Sequence, residues 1–242
     1  LELDWIDQHN KQQNHHHHLY MLQKELGMDE DSTFADVLDV TLLQLLRTVS
    51  HVNGANIVHR DIKPGNLLVT PRGFVLIDFG SAADMDPPSK SSVGSAFSSM
   101  IGGGGGRVGL DDGAVGLSPI YGAPETYIKV HRDPLNFDAF STALVFCQLL
   151  FNLLDERSDA SFRGQLEDVD YDLDSWLQRE INAELRPDGI EEALSYLANR
   201  PGLWSVLRGM LYPNPEQRLS TVDALERVES LLNAVKEGDD SV

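Results

Sequence analysis

The stretch IVHRDIKPGNLLVTPRGFVLIDFG, residues 57–80, decides the fold of this 242-residue chain. Within it the β-prone runs NLLV and FVLI are separated by TPRG, which contains both Pro and Gly, so the pattern predicts a β-hairpin. A polar segment, HRDIKPGN, leads into the hairpin, and a second one, DFG, follows it. Because the two strands of a hairpin pair directly, we expect them to hold these polar segments side by side.

Helices are predicted on both sides of the hairpin. Upstream, apolar residues recur at helical spacing from Val37 to Val52, and Asp31 or Ser32 is available as the cap. Downstream, helical patterns predict helices over residues 138–151, 172–181, 190–199, 203–211 and 221–235. The predicted fold class is therefore mainly α, with a short β-hairpin.

Two of the downstream patterns carry further information. The longest apolar run, FSTALVFCQLLFNLL from Phe140 to Leu154, is too short to span a bilayer and contains Ser, Thr, Gln and Asn. We interpret it as a helix of the core, and we expect no transmembrane segment within this chain. Ser220 followed by Asp223 has the spacing of a capping box at the start of the last helix.

The charge and the cysteine content of the chain indicate which binding partners and which cellular compartment to expect. The chain has 19 basic and 38 acidic residues, a formal net charge of -19, which repels nucleic acid and anionic membrane surfaces. We therefore expect no nucleic-acid partner. The single cysteine, Cys147, excludes an internal disulfide and favours a reducing, intracellular compartment. We interpret Cys147 as a buried apolar residue.

Three segments have a biased composition. Residues 8–18, QHNKQQNHHHH, are predicted to form a solvated polar insertion. The four histidines could bind a metal ion, but we favour the solvated insertion. Residues 84–118 are rich in Ser and Gly and are predicted to form a loop. The last residues, 237–242, are predicted to be a disordered tail.

The polar residues around the hairpin are of the kinds that phosphoryl transfer requires. One carboxylate must lie beside the substrate hydroxyl, another must hold Mg²⁺ against the phosphates, and a second metal ligand must come from a nearby loop. HRDIKPGN and DFG supply Asp61, Asn66 and Asp78 in that order.

Residues 57–80 resemble the catalytic core of a eukaryotic-type Ser/Thr protein kinase. The resemblance implies that Asp61 orients the attacking hydroxyl and accepts its proton, and that Lys63 lies against the transferred γ-phosphoryl group. It also implies that Asn66 and Asp78 bind the Mg²⁺ of Mg-ATP. Lys63 resembles the Ser/Thr subgroup, because tyrosine kinases usually have Ala at that position.

The resemblance gives structural and regulatory roles to other residues of the same stretch. His59 would brace the loop. Arg60 matches kinases whose activation segment is ordered by phosphorylation. Phe79 and Gly80 would complete the DFG motif that begins at Asp78.

The resemblance continues downstream. SPIYGAPE, residues 118–125, resembles the end of a kinase activation segment, with Ser118 where a Thr usually stands and Glu125 in the APE motif. Asp138 matches the residue that fastens the backbone of the catalytic loop, and Arg218 matches the residue that pairs with the APE glutamate. The implied fold is the helical large lobe of a kinase over residues 1–236, with residues 84–118 in the activation segment.

A narrower resemblance covers residues 77–180. IDFGSAADM, YGAPETYI and FRGQLEDVDYDLDSWLQREI are similar to segments of the plastid state-transition kinases, which phosphorylate light-harvesting and photosystem proteins. This implies a plastid location and thylakoid protein substrates; without it, the default location is the cytoplasm. The Ser- and Gly-rich insert at 89–109 departs from that group, and we interpret it as a tolerated surface loop rather than a phosphoregulatory one.

The small lobe of a kinase has no recognisable counterpart in the sequence. A glycine-rich loop, a strand lysine and a helix glutamate are expected there. GGGGG at 102–106 lies between DFG and APE, Lys11 lies in the polar insertion, and Lys24 lies in a helical pattern. We expect LELDWID, residues 1–7, to correspond to the hinge strand, the small lobe to be missing, and the chain as given to be inactive without it.

Two other classes of function stay open. A pseudokinase or scaffold would bind proteins through the same lobe, but it has no chemical need for Asp61, Lys63, Asn66 and Asp78 together. A small-molecule phosphotransferase also uses an HxD loop with a downstream Asn and Asp. It would lack the SPIYGAPE segment, which in protein kinases serves peptide docking.

Overall fold

Helices dominate the computed structural model, which describes residues 14–85, 118–125, 136–154, 156–183 and 190–239. In chain order the helices are α1 (Asn14–Glu25), α2 (Phe34–Gly54), α3 (Asn136–Leu150), α4 (Glu156–Glu167), α5 (Leu173–Asn182), α6 (Ile190–Ala198), α7 (Leu203–Met210) and α8 (Thr221–Asp239). Within the described residues, four short strands lie between α2 and α3: β1 (Ile57–Val58), β2 (Leu67–Thr70), β3 (Gly73–Leu76) and β4 (Ala83–Asp84). The predicted fold class, mainly α with a short hairpin, is confirmed.

The predicted hairpin is formed by β2 and β3, which pair antiparallel with Leu67 opposite Leu76 and Thr70 opposite Gly73. A second antiparallel pair, β1 with β4, places Ile57 opposite Asp84. This pair was not predicted from the sequence. Because β1 precedes HRDIKPGN and β4 follows DFG, the two pairs hold both polar segments in one place.

The core is built around α3. Each of its residues is buried, and Phe140, Leu144 and Phe146 are fully inaccessible to solvent. A helix that is apolar on all sides is stable only when other elements surround it, and α3 packs against α2, α7 and α8. The interpretation of the long apolar run as a core helix is confirmed.

The helix caps agree with the sequence pattern at one of two positions. Ser220 caps α8 as predicted, since its Oγ accepts the backbone N–H of Asp223 at 3.1 Å. The cap of α2 is Thr33, not Asp31 or Ser32. Its hydroxyl accepts the N–H of Asp36 at 3.2 Å while the Asp36 carboxylate accepts the Thr33 N–H at 2.8 Å. Such a reciprocal pair satisfies two backbone donors that the helix itself leaves free.

Three helices differ from the prediction, at a boundary or in their presence. Helix α1 begins at Asn14, so part of the predicted polar insertion is helical, and Leu19, Leu22 and Leu26 bury its inner side. Helix α4 was not predicted. Helix α8 continues to Asp239 and includes part of the predicted disordered tail. The expected hinge strand at 1–7 and the insert at 89–109 lie outside the described residues.

None of the helices within the described ranges has the length and apolar character that a membrane crossing requires.

Candidate active site

Asp61 is held by donors from two separate parts of the chain. Its Oδ2 atom accepts hydrogen bonds from Lys63 Nζ and Asn66 Nδ2, each at 2.9 Å. Its Oδ1 atom accepts the backbone N–H of Ser118 at 3.3 Å. The residue is only 5% exposed, so three donors orient a carboxylate that has little contact with solvent. The structure therefore brings Asp61, Lys63, Asn66 and Ser118 together.

His59 connects Asp61 to the strand end that precedes DFG. Its Nδ1 accepts the backbone N–H of Asp61 at 3.3 Å, and its Nε2 lies 2.9 Å from the carbonyl oxygen of Ile77. A ring nitrogen that accepts is unprotonated, so this arrangement assigns the proton of a neutral imidazole to Nε2. The His59 ring also packs edge-on against Phe79, with 4.8 Å between centroids. His59 thus braces the loop against the second polar segment.

Asp138 holds the backbone of the loop from the core helix α3. Its Oδ2 accepts the backbone N–H of His59 at 2.7 Å and the side-chain amide of Asn53 at 2.8 Å, and its Oδ1 accepts the backbone N–H of Arg60 at 2.9 Å. Burial raises the pKa of the Asp138 carboxyl, and these hydrogen bonds act in the opposite direction. Arg60 needs this support because its φ of 69° lies in the left-handed region.

We expect Asp138→Asn to destabilise the fold although it preserves the shape of the side chain. Whichever way the carboxamide is turned, its NH₂ group faces at least one of the three buried donors and leaves that donor without an acceptor. Each such donor costs about 1–3 kcal/mol. Urea unfolding should show this loss, and hydrogen exchange should accelerate at the His59 and Arg60 amides.

The matched control for this prediction is Asp168→Asn, because the Asp168 side chain is 70% exposed and lies 3.9 Å from its partner Arg179. Its free energy of unfolding should stay within about 0.5 kcal/mol of the parent value. Equal stability of the Asp138 and Asp168 variants would contradict the role of Asp138.

Asn66 and Asp78 lie at the same end of the hairpin. The backbone N–H of Ile77, which precedes Asp78, donates to the carbonyl oxygen of Asn66 at 3.0 Å. The side chain of Asp78 is exposed, and the amide nitrogen of Asn66 is engaged by Asp61. Asp78 has left-handed backbone angles, φ 59° and ψ 69°, and its Oδ1 accepts the Gly80 N–H at 3.2 Å.

These two residues fit a Mg²⁺ site of the kind that substrate completes. Mg²⁺ prefers oxygen ligands and is usually bound by one or two carboxylates together with phosphate oxygens and water. The amide nitrogen of Asn66 points to Asp61, so its oxygen is the atom suited to a metal. Within the described part of the chain no three His, Cys, Asp or Glu side chains are grouped to hold a metal by themselves.

Arg60 is buried beneath the residues that follow DFG. It is 2% exposed, its Nε donates to the carbonyl oxygen of Ser81, and burial lowers the pKa of its guanidinium group. Among the described residues, its Nη1 atom has no hydrogen-bond partner. The residues that a kinase activation segment would bring to this cation, 86–117, lie outside the described ranges.

Glu125 and Arg218 form a bidentate ion pair. Arg218 Nη1 and Nη2 donate to the two carboxylate oxygens of Glu125 at 2.7 and 2.8 Å. Arg218 also donates to the carbonyl oxygens of Tyr212, Pro213 and Asn136. The Arg218 side chain is fully buried, whereas that of Glu125 is 15% exposed. The pair ties residues 118–125 to the segment that precedes α8.

Two supporting residues, Asn53 and Arg163, were not predicted from the sequence. Asn53 donates to the Ile57 carbonyl and to Asp138, and it accepts a hydrogen bond from Thr221 Oγ1 at 2.8 Å. Its position in the pattern was informative, because an Asn four residues after the buried Val49 lies on the apolar side of α2. Arg163 binds the backbone of residues 118–125 from α4. No local pattern marks it, because α4 itself was not predicted.

Comparison with known proteins agrees with this geometry. The protein kinase domain family matches residues 11–228. The chain therefore belongs to the protein kinase family.

Two similar relatives are chloroplastic kinases of Arabidopsis thaliana. Serine/threonine-protein kinase STN7 is 30% identical over 220 residues, which are 78% of this chain and 34% of that protein. Serine/threonine-protein kinase STN8 is 29% identical over 187 residues, 67% of this chain and 33% of that protein. The chain thus spans about one third of the length of these relatives. The predicted resemblance to the plastid state-transition kinases is confirmed.

A solved structure shows the same fold. The crystal structure of a Stt7 homologue from Micromonas algae, soaked with ATP, has a TM-score of 0.60 and 19% sequence identity, and the match covers 86% of this chain and 60% of that one. A kinase-like fold is therefore confirmed. The predicted absence of a small lobe is not confirmed, since the family match begins at residue 11, and it stays a prediction.

Proposed function

We propose that this chain is the large lobe of a Ser/Thr protein kinase that transfers the γ-phosphoryl group of Mg-ATP to Ser and Thr hydroxyls of proteins. The main support for this proposal is the oriented carboxylate of Asp61, which accepts hydrogen bonds from Lys63, Asn66 and the backbone of Ser118. This carboxylate lies where the loop after β1 meets residues 118–125. We call residues 118–125 the peptide platform.

The roles of the side chains follow from what phosphoryl transfer demands. Its transition state is loose, so positioning and charge stabilisation supply most of the catalysis. Asp61 would orient the substrate hydroxyl and accept its proton. Lys63, whose ammonium group is 2.9 Å from Asp61 Oδ2, would move to the γ-phosphoryl group and balance its charge.

Nucleotide binding would depend on the oxygens of Asn66 and Asp78. Bound Mg²⁺ would neutralise the charge of the ATP phosphates. Asp78 would bind it by its carboxylate and Asn66 by its amide oxygen, and the hydrogen bond between the Ile77 N–H and the Asn66 carbonyl at 3.0 Å would keep these two ligands together. Asp61, which is not one of these two ligands, would interact with the substrate hydroxyl.

The alternatives are less well supported by the same residues. A scaffold has no need for the set of donors around Asp61. A small-molecule phosphotransferase has no need for a segment fastened at Glu125 by Arg218 at 2.7 and 2.8 Å. The geometry of both features supports a protein substrate.

Phosphoryl transfer would also require the glycine-rich loop and the strand lysine of a small lobe, which hold the phosphates of ATP. No part of the sequence given resembles either of them. The assays therefore compare the 242-residue chain with the same chain joined to a kinase small lobe, which we call the two-lobe protein. We propose that only the two-lobe protein transfers phosphate above the level of its Asp61→Asn variant.

The acceptor residue tests the proposed class of kinase. We expect the two-lobe protein to label serine and threonine when it is incubated with γ-labelled ATP, Mg²⁺ and a mixed protein substrate. The physical reason is Lys63, which resembles the Ser/Thr subgroup and lies 2.9 Å from Asp61. Phosphoamino-acid analysis gives the result directly. Label found mainly in phosphotyrosine would contradict the proposal.

We further propose thylakoid proteins as the substrate class, on the similarity to the two chloroplastic kinases. Isolated thylakoid membranes and stromal extract provide matched substrates for the labelling experiment. Preferential labelling of stromal proteins would count against a thylakoid substrate without affecting the acceptor result.

A further inference from the structure

We propose that Arg163 is a positioning residue for protein substrates, because it holds the main chain of the peptide platform from helix α4. This inference rests on the proposed kinase function. Arg163 Nη1 donates to the carbonyl oxygen of Gly122 at 2.5 Å and lies 3.5 Å from that of Ile120. Both partners are backbone atoms, so the contact fixes the path of the platform whatever its side chains are.

The guanidinium group of Arg163 is itself held in one orientation. Its Nε donates to Glu167 Oε1 at 2.8 Å, and its Nη2 donates to the hydroxyl of Tyr171 at 2.9 Å. The Tyr171 hydroxyl in turn donates to the same Glu167 oxygen at 3.3 Å. Because all three nitrogens of a planar, rigid fork have partners, the direction of the bond to Gly122 is fixed. The Arg163 side chain is 11% exposed.

A strained turn brings Tyr171 to this position. Asp170 and Tyr171 follow α4 with φ angles of 52° and 61°, which are uncommon for residues other than glycine. The turn is closed by the Tyr171 N–H, which donates to the Leu166 carbonyl at 2.7 Å. Such strain persists only where surrounding contacts over-determine the backbone. Here the Arg163 contact with the hydroxyl is one of those contacts.

Arg163 and Arg218 hold two points of the platform around one aromatic ring. The guanidinium carbon of Arg163 lies 5.4 Å from the centroid of Phe140, and that of Arg218 lies 5.0 Å from it. Phe140 is a fully buried residue of α3. Arg218 binds the side chain of Glu125, whereas Arg163 binds the main chain at Gly122. The platform is thus attached to the core at its middle and at its end.

Hydrogen bonds lead from Arg163 to the catalytic carboxylate. The N–H groups of Tyr121 and Gly122 both donate to the Ser118 carbonyl, at 3.2 and 3.0 Å. The Ser118 N–H donates to Asp61 Oδ1. Gly122 is therefore fixed on one side by Arg163 and on the other by the turn that touches Asp61. A peptide on this segment would be placed relative to Asp61 by the Arg163 contact.

Hydrogen exchange tests the contact in the 242-residue chain. In Arg163→Met, which keeps a long side chain but removes the donors, we expect the Tyr121 and Gly122 amides to exchange about 10-fold faster, since a hydrogen bond to a charged group contributes about that factor. The matched control is Arg200→Met. Arg200 is buried to a similar degree, with a side chain 9% exposed, and it binds Asp39 through two nitrogens and lies 4.3 Å from the Tyr196 centroid.

Kinetics of the two-lobe protein tests the consequence. In Arg163→Met we expect the KM for a peptide substrate to rise about 10-fold, while the KM for ATP and the peptide-independent hydrolysis of ATP stay within about twofold of the parent values. Arg163→Lys keeps the positive charge and a donor that can bind the Gly122 carbonyl. Its KM for the peptide should therefore lie between those of the parent and of Arg163→Met. Arg200→Met should leave the peptide KM unchanged.

An active parent in which Arg163→Met and Arg200→Met have the same peptide KM, or the same exchange at Tyr121 and Gly122, would overturn the inference alone. A parent that transfers no phosphate would overturn the proposed function, and this inference with it. The two failures are therefore distinguished by the activity of the unmodified protein.

Discussion

Replacement of Asp61 by Asn in the two-lobe protein is expected to lower kcat by at least ~100-fold while the protein stays folded, because general-base positioning contributes about that much. An amide cannot accept the proton of the substrate hydroxyl. It also turns an NH₂ group toward one of the donors that now orient the carboxylate, which come from Lys63, Asn66 and Ser118. The first effect removes the proton acceptor, and the second disturbs the orientation of the side chain that positions the attacking oxygen.

Initial-rate measurement with saturating Mg-ATP and peptide gives kcat, and circular dichroism with thermal unfolding verifies the fold. Asp168→Asn is the matched control, since its side chain is 70% exposed and its ion-pair partner is Arg179, 3.9 Å away. We expect the control to retain full activity. Near-normal transfer by the Asp61 variant would show that Asp61 is not the general base.

The second large effect is expected at the Glu125 and Arg218 pair. Removing one member of a buried ion pair leaves the other charge uncompensated and costs roughly 3–5 kcal/mol. Arg218→Ala should be the more costly of the two. It removes the partner of Glu125 and also leaves the carbonyl oxygens of Tyr212, Pro213 and Asn136 without this donor. After Glu125→Ala, Arg218 keeps those three carbonyl partners.

A double-mutant cycle measured by urea unfolding of the 242-residue chain tests this pair. The double variant should cost less than the sum of the two single variants, because the second substitution removes a group that the first has already left unpaired. The exposed pair of Arg47 and Glu229, at 2.8 Å and 51% and 39% exposed, is the matched control. Its coupling should be no more than about 1 kcal/mol. Additive losses for Glu125 and Arg218 would contradict their contact in solution.

Local patterns predicted much of the fold because they reflect local physics. The hairpin follows from two β-prone runs and a turn containing Pro and Gly, and the core helix follows from an apolar run. Helix α4 was not predicted because its sequence, ERSDASFRGQLE, is mostly polar, and its large buried apolar residues are Phe162 and Leu166. The pairing of β1 with β4 was not predicted because a strand of two residues is too short to show an alternating apolar pattern.

The sequence predicted the members of the candidate site and some of the residues that support it, such as His59, Asp138 and Arg218. The order of Asp61, Asn66 and Asp78 along the chain is enough to suggest the chemistry. The supporting residues that were not predicted, Asn53 and Arg163, act through contacts between positions far apart in sequence. Such contacts depend on how whole helices pack, and no window of the sequence contains both partners.

The hydrogen bonds of Asn53 join segments that the ribosome synthesises at different times. Its bond to Asp138 joins residues 85 positions apart, and its bond to Thr221 joins residues 168 positions apart. Ribosomes add about 5–20 residues per second, so roughly 10–30 s separate the synthesis of Asn53 from that of Thr221. During this interval the nascent chain already carries the loop of His59 to Asn66 but lacks the helix that completes its anchorage. The loop of residues 59–66 is therefore translated well before the last of the contacts that anchor it can form.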